Sequence, residues 1–160
     1  MKDAGDSSSA VTLALAMLAR RALTRAEVVE KLGRRVDPEA RDAALARLDE
    51  MRVLDDRRLA ERVAEDGLVR RGFGRYRIRS DLLRRGVDAE IVDAVVVRVF
   101  DDEAERSAAA AVLARFRKRR GSSRRAPEKE ASALYRHLIG RGFPAGVVRD
   151  LLRDMQEISL

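Results

Sequence analysis

Few groups of residues in this 160-residue chain have the types and spacing that catalysis or metal binding needs. Acidic groups stand at Asp55-Asp56 and at Asp101-Asp102-Glu103, and clustered carboxylates of this kind can ligate a metal ion. Each group lies where a helical pattern begins, so we interpret both as helix caps that accept free backbone N–H groups. His137 is the only histidine and has no accompanying serine, cysteine or carboxylate motif. We interpret it as a helix-surface or half-buried residue rather than a catalyst.

The motifs that many enzymes and metalloproteins need are missing from the sequence. There is no cysteine, which excludes disulfides, cysteine-ligated zinc, iron–sulfur clusters and thiol nucleophiles. We find no glycine-rich phosphate loop, zinc motif or nucleophile elbow. We therefore predict that the chain is not an enzyme and has no cofactor, metal or small-molecule substrate. The absence of cysteine fits a reducing cytoplasm.

The composition favours a basic, helical protein. Hydrophobic residues are 46% of the chain, but aromatic residues are only 4% and there are three prolines. This disfavours an all-β sandwich, which needs frequent turn signals. A net charge of +7 indicates a polyanionic or acidic partner. Thirty of the 34 basic residues are arginine, a preference that reflects either bidentate phosphate contacts or a GC-rich genome.

The basic charge is concentrated in two segments. Residues 69–86 hold seven arginines and one acid, and residues 115–129 hold eight basic residues and one acid. These segments predict a polyanion-binding surface, with an ordinary solvated face as the alternative. Docking on an anionic membrane is disfavoured, because Phe116 is the only aromatic residue of the second segment. The predicted residues that bind nucleic acid or a protein partner are Arg70, Arg71, Arg75, Arg77, Arg84, Arg85, Arg115, Arg117, Lys118, Arg119, Arg120, Arg124 and Arg125.

Helical periodicity bounded by capping residues begins near the N-terminus. The first helix is predicted from about Ala10 to Arg21. Thr24-Arg25-Ala26-Glu27 is a capping box that opens the second helix. Asp37-Pro38 opens the third, since aspartate accepts from free N–H groups and proline loses nothing at the first helical position.

The pattern of three helices then recurs twice. Asp55-Asp56 and Asp88 each cap a helix, and a short helix lies between these two. The last set begins with a helix from about Asp102 to Arg120, continues through a polar loop at 121–126 and ends with two further helices, the last reaching about Met155.

One turn motif appears in all three sets. An amphipathic helix ends in basic residues and glycine, and an apolar residue follows the turn, as in residues 31–36, 82–87 and 138–143. Aligned on that apolar residue, the segments predict three equivalent core residues: Leu32, Leu83 and Ile139.

These repeats predict an all-α fold, an elongated, curved array of three tandem three-helix repeats. Each repeat is too small to bury a core alone and would stack on its neighbour. The predicted organisation is a disordered leader at 1–9, repeats at 10–54 and 55–101, and a third repeat at 102–160 with a basic loop near 121–126. The polar leader lacks the apolar stretch of a signal peptide, and uncharged apolar runs such as Ala108–Ala114 are too short to span a bilayer.

Four segments carry an ordered pattern that covers about residues 12–155. Residues 54–60 read Leu-Asp-Asp-Arg-Arg-Leu-Ala, and residues 74–86 read Gly-Arg-Tyr-Arg-Ile-Arg-Ser-Asp-Leu-Leu-Arg-Arg-Gly. Residues 21–32 and 138–143 add Arg-Ala-Leu-Thr-Arg-Ala-Glu-Val-Val-Glu-Lys-Leu and Leu-Ile-Gly-Arg-Gly-Phe. In this order the set resembles the RecX family, small regulatory proteins of the bacterial RecA recombinase. It departs from the family pattern where Leu59 replaces phenylalanine, Asp81 replaces glutamate and Arg85 replaces lysine.

The resemblance implies a non-enzymatic, cytoplasmic regulator, most simply an inhibitor, of RecA. Such a protein would bind in the groove of the RecA–DNA filament and suppress ATP hydrolysis, strand exchange and co-protease activity. Its partners would be the filament and single- and double-stranded DNA, in homologous recombination, DNA repair and the SOS response. The alternative is a basic helical DNA-binding or helix-turn-helix regulatory protein that acts independently of RecA.

Overall fold

The computed structural model describes the backbone of residues 3–120 and 127–157, with side chains over 7–119 and 128–155. Within these ranges the chain is all-α, as predicted, and none of its helices is long and apolar enough to cross a membrane. The predicted loop at 121–126 lies outside the described residues. The elements are α1 (Asp3–Arg20), α2 (Arg25–Gly33), α3 (Pro38–Glu50), α4 (Asp56–Asp66), a π-helical turn (Gly67–Arg71), α5 (Arg75–Arg84), α6 (Ala89–Val99), α7 (Asp102–Arg120), α8 (Pro127–Gly140) and α9 (Ala145–Glu157).

The helices begin at the capping residues that the sequence predicts. The Thr24 hydroxyl accepts from the Glu27 N–H (3.1 Å), and the Glu27 carboxylate accepts from the Thr24 N–H (2.9 Å). Four aspartates cap other helices by accepting a backbone N–H two or three residues ahead: Asp37, Asp55, Asp88 and Asp101. These carboxylates are therefore used as caps. No cluster of histidine, aspartate and glutamate among the described residues could hold a metal ion.

The start of α1 differs from the prediction. The helix begins at Asp3, whereas the sequence predicted a helix from about Ala10 after a disordered leader. Ala10 and Ala14 are fully buried and anchor the helix in a core. Once a helix is anchored, each further residue adds one backbone hydrogen bond, so the helix can extend through the polar residues that precede Ala10.

The described residues form two compact units. The first comprises Met1–Ala60 with Leu82–Val92, and the second comprises Glu61–Asp81 with Asp93–Leu160. A core in the first unit lies among α1, α2 and α3 and is built from Ala10, Ala14, Leu23, Val28, Leu32, Ala40, Ala44, Leu45 and Leu48. A core in the second unit lies among α7, α8 and α9 and is built from Ala109, Val112, Leu113, Leu134, Leu138, Phe143, Val148 and Leu151.

The turns after α5 and α8 bury other residues than the repeat alignment predicted. Leu82 and Leu138 are fully buried, as Leu32 is. Leu83 is only half-buried, and Ile139 is 38% exposed. The prediction that Leu83 and Ile139 are the core equivalents of Leu32 is therefore wrong by one residue.

The error comes from the form of the turn. After α2, the N–H of Val36 bonds to the carbonyl of Leu32, four residues earlier (3.0 Å). After α5, Gly86 is left-handed (φ +76°), and the N–H of Val87 reaches the carbonyl of Leu82, five residues earlier (3.2 Å). This is a Schellman turn, and the turn after α8 has the same form. It contains one residue more than the turn after α2.

Candidate polyanion-binding site

Arginines from three parts of the second unit line one cleft of about 170 Å³, which we call the arginine cleft. They come from the π-helical turn, from α7 and from the turn after α8: Arg70, Arg71, Arg115, Arg119 and Arg141. Val112 also lines the cleft. The two basic segments of the sequence therefore contribute to one site, together with an arginine that lies outside both.

A π-helical turn brings the first two arginines to the cleft. It runs from Gly67 to Arg71 and is capped by Gly72, which is left-handed (φ +61°) and donates its N–H to the Gly67 carbonyl. A Cβ on Gly72 would lie 2.4 Å from the Val112 side chain of α7. Glycine is required here both for its positive φ and for the close approach of the turn to α7.

Hydrogen bonds hold Arg141 in place at both its side chain and its backbone. Its Nη1 donates to the carbonyls of Arg71 (2.6 Å) and Gly72 (3.1 Å). Its own carbonyl accepts from the Gly74 N–H (2.9 Å). The turn after α8 is thus tied to the segment between the π-helical turn and α5, two regions about 70 residues apart in sequence.

Phe73 lies among three guanidinium groups at the edge of the cleft. The guanidinium carbons of Arg71, Arg77 and Arg141 are 4.7, 4.9 and 5.7 Å from the centre of its ring. Cations at such distances are attracted by the negative face of an aromatic ring. The ring therefore holds side chains of like charge close to one another.

Arg141 is surrounded by other positively charged side chains. Burial lowers the pKa of Arg141, and the nearby charges of Arg119, Arg115 and Arg77 lower it further. The direction of this pKa shift marks a site where another positive charge is unfavourable and an anion is favourable.

Two of the arginines that line the arginine cleft or lie around Phe73 form ion pairs with carboxylates. Arg70 lies 3.7 Å from Asp66, and Arg77 lies 3.3 Å from Asp81. In the part of the chain that the structure describes, no carboxylate forms an ion pair with the other four arginines that line the cleft.

Arg75, predicted as a binding residue, lies against a buried carboxylate instead. Its Nε donates to Glu105 (2.5 Å) and its Nη2 to the carbonyl of Phe100 (2.8 Å). Glu105 is fully buried, and burial raises its pKa although the bonds and charge of Arg75 oppose this. The Arg75 side chain compensates this carboxylate and does not line the arginine cleft.

Arg85, also predicted as a binding residue, stabilises the start of α2 in the first unit. Its Nε and Nη2 donate to the two carboxylate oxygens of Glu27 (3.1 and 2.9 Å), and its carbonyl accepts from the Thr24 hydroxyl (2.7 Å). Burial by itself would raise the pKa of Glu27, but the bonds from Arg85 and from the Thr24 N–H lower it overall. Arg84, its neighbour, is exposed in the same unit.

The other predicted residues lie on or beyond α7. Arg117 forms an ion pair with Glu130 (3.4 Å), and Lys118 is exposed. The side chain of Arg120 lies outside the described residues, as do Arg124 and Arg125.

His137 is half-buried and packs in the second unit, in agreement with the interpretation of the sequence. Its ring stacks on Phe116, with the ring centres 4.0 Å apart. Burial lowers its pKa, and the charges of Arg141 and Arg119 lower it further. Both effects favour the neutral form of the imidazole.

Two family models match the chain. The model of the first three-helix domain of RecX matches residues 10–48, and that of the second three-helix domain matches residues 55–96. The chain belongs to the RecX family.

Curated RecX proteins are similar over almost the whole chain. The regulatory protein RecX of Thermus thermophilus is 39% identical over 150 residues, which cover 94% of both chains. That of Chlorobaculum tepidum is 33% identical over 152 residues, or 94% of this chain and 91% of the relative. The crystal structure of RecX from Lactobacillus salivarius superposes with a TM-score of 0.84 at 18% identity, over 96% of this chain and 98% of that one. The last comparison shows a shared fold.

Sequence reasoning missed two residues of the site in this RecX-family chain, Phe73 and Arg141. Arg141 belongs to the basic turn motif after α8, where it was interpreted only as part of a helix end. Phe73 stands between Gly72 and Gly74. An aromatic residue between two glycines in a basic segment is the sequence signal by which it could have been found.

Proposed function

We propose that this RecX-family chain is a non-enzymatic regulator of the RecA recombinase, and that it acts as an inhibitor. It binds in the helical groove of the RecA filament on DNA and suppresses ATP hydrolysis, strand exchange and co-protease activity in the cytoplasm. Membership in a family of regulatory proteins supports the regulatory part of the proposal. The arginine cleft, in which four arginines lack a carboxylate partner among the described residues, carries the part that concerns a polyanion.

Three-helix repeats at 10–54, 55–101 and 102–160 are proposed to contact successive parts of the filament. A protein built from tandem repeats can touch neighbouring subunits at once. Each contact then raises the effective concentration of the next, so the whole chain binds more tightly than any repeat alone.

The polyanion is proposed to be the DNA of the filament, in single- or double-stranded form. Arginine suits this partner because its planar fork pairs with phosphate oxygens in a bidentate manner. The proposed contact residues are those on and beside the arginine cleft: Arg70, Arg71, Arg77, Arg115, Arg117, Lys118, Arg119 and Arg141. Arg75 and Arg85 are not among them, because their side chains are mostly buried, each against a buried or half-buried carboxylate within its own unit.

Titrating the protein into RecA, single-stranded DNA and ATP tests the proposal. We expect the rate of ATP hydrolysis to fall as the protein is added. The double variant Arg115→Gln/Arg119→Gln is expected to inhibit more weakly than Arg136→Gln/Arg149→Gln, which removes the same charge from exposed positions of α8 and α9. An unchanged or faster rate with the wild-type protein would count against a RecA inhibitor.

The arginine cleft equally suits the alternative, a DNA-binding protein that acts without RecA. Measuring DNA binding with and without RecA, beside the ATP hydrolysis assay, distinguishes the two functions. If the affinity for DNA is unchanged by RecA and ATP hydrolysis is unaffected, the alternative is correct.

A further inference from the structure

We propose, building on the proposed function, that the arginine cleft is a binding site for a single phosphate group, of phosphodiester or phosphomonoester chemistry, and that Phe73 positions its guanidinium groups.

The first support is the direction from which the charges come. Guanidinium groups reach the cleft from the π-helical turn, from α7 and from the turn after α8. A phosphate group is tetrahedral, so its oxygens point in several directions and can accept hydrogen bonds from guanidinium groups on different sides. A side-chain carboxylate is planar and presents only two oxygens, so it would engage one or two of these arginines and leave the others unpaired.

The second support is the size of the cleft. Its volume is about 170 Å³. Because a water molecule occupies about 30 Å³ of liquid, the cleft has room for one phosphate group with a few waters.

The third support is that some of the cationic groups are held in place by contacts within the protein itself. Arg141 is fixed by its bonds to the carbonyls of Arg71 and Gly72. The ring of Phe73 lies within 5.7 Å of three guanidinium carbons. Preorganisation of this kind lowers the conformational entropy lost on binding. A basic surface that only faces solvent would not need such preorganisation.

The fourth support is the unbalanced charge. Arg115 and Arg119 are exposed on α7 and, within the described residues, form no ion pair. Their charges act on Arg141, which already has a lowered pKa. An anion in the cleft would relieve this repulsion, so binding should stabilise the folded protein.

Inorganic phosphate is the probe for the test, at constant ionic strength set with sodium chloride. We expect the melting temperature of the full chain to rise with phosphate and to saturate. The variant Arg115→Gln/Arg119→Gln should weaken the apparent affinity about tenfold or more, because two charged hydrogen-bond donors are lost. The matched variant Arg136→Gln/Arg149→Gln should bind as the wild type does.

Phe73→Leu tests the positioning role separately. Leucine keeps an apolar side chain but removes the ring face, so the affinity for phosphate should fall several-fold while all five lining arginines remain. Leu substitution for Phe can also loosen the local fold, so Phe73→Tyr is the second variant. Tyrosine keeps the aromatic ring, so Phe73→Tyr should bind phosphate about as tightly as the wild type does.

Oligonucleotides identify the source of the phosphate. If the ligand is an internal phosphodiester, an unphosphorylated oligonucleotide should displace phosphate. If the ligand is a terminal phosphomonoester, only an oligonucleotide with a 5′-phosphate should do so. Either result supports the site.

Three results would overturn the site. They are no saturable effect of phosphate on the wild type, an equal effect on the cleft variant, and an equal stabilisation by acetate or a glutamate-rich peptide. The RecA assay is independent of these results. A protein that inhibits RecA without binding phosphate refutes the site alone, and one that binds phosphate without affecting RecA refutes the RecA function alone.

Discussion

Two arginines of α5, four residues apart, have very different surroundings. Arg75 pairs with Glu105, which is fully buried, whereas Arg79 pairs with Asp93 (2.8 Å) and both of these side chains are about half exposed. An exposed pair contributes little to stability because water and salt screen it. A buried carboxylate that loses its partner is costly, because its charge is no longer compensated.

We therefore expect Arg75→Met to lower the free energy of unfolding at neutral pH by about 3–5 kcal/mol. Burial already raises the pKa of Glu105 from its ordinary value of 4.5, and loss of Arg75 removes the groups that oppose this. A folded-state pKa above the unfolded one means that the native state binds more protons, so stability falls as pH rises from about 4.5 through the folded-state pKa. Part of the loss in the variant should thus be recovered at mildly acidic pH.

Urea denaturation at acidic and neutral pH measures this effect. Arg79→Met, on the same helix, is the control and should change stability little at either pH. If Arg75→Met behaves like Arg79→Met, the Arg75–Glu105 pair does not hold the second unit together.

At the scale of elements, the form of each helix end decides which side chain enters the core. Leu82 and Leu83 are adjacent in α5, but only Leu82 is fully buried. The left-handed Gly86 lets Val87 fold back over the last turn, with its N–H on the Leu82 carbonyl. A Schellman turn commonly brings together the residues at these two positions.

Leu82→Ala should therefore destabilise the protein by ~2–5 kcal/mol through lost burial and the cavity that remains. Leu83→Ala removes the same atoms from a half-buried site and should cost ~1 kcal/mol. Thermal or urea unfolding of the two variants provides the comparison. A larger loss for Leu83→Ala would restore the repeat alignment that the sequence alone predicts.

At the scale of the whole molecule, the compact units do not follow the repeat boundaries. Residues 61–81 belong to one unit with residues 93–160. Within it, the N–H of Gly74 donates to the Arg141 carbonyl (2.9 Å), and the N–H of Tyr76 donates to the Gly142 carbonyl (3.1 Å). The first turn of α5 thus depends on a turn near the C-terminus for its hydrogen bonds.

A chain that ends at Phe100 or Asp101 should show this dependence. It lacks Glu105 and the turn after α8, so residues 61–81 should exchange their amide hydrogens at least about tenfold faster than in the full chain. The core formed by α1, α2 and α3 remains intact in this fragment and should keep its protection. Hydrogen exchange resolved by peptide measures both regions in one experiment, and full protection of residues 61–81 would show that the second repeat folds without the third.

The amino-acid sequence alone was sufficient for the features that depend on near neighbours. Helix starts such as Thr24 and Asp37 were predictable because a cap and its N–H donor are three residues apart. The all-α class and the basic segments follow equally from composition and spacing.

Only the tertiary structure decided which basic side chains are available to a ligand. Arg71 and Arg75 lie four residues apart in one basic segment, yet Arg71 lines the arginine cleft and Arg75 is bound to Glu105, 30 residues away. Arg141 joins the site from 70 residues away. The physical reason is that a capping bond is set by local backbone geometry, whereas the partner of a guanidinium depends on which distant helices pack against it. Here it also depends on the π-helical turn and on Gly72, which allow the chain to approach α7 closely.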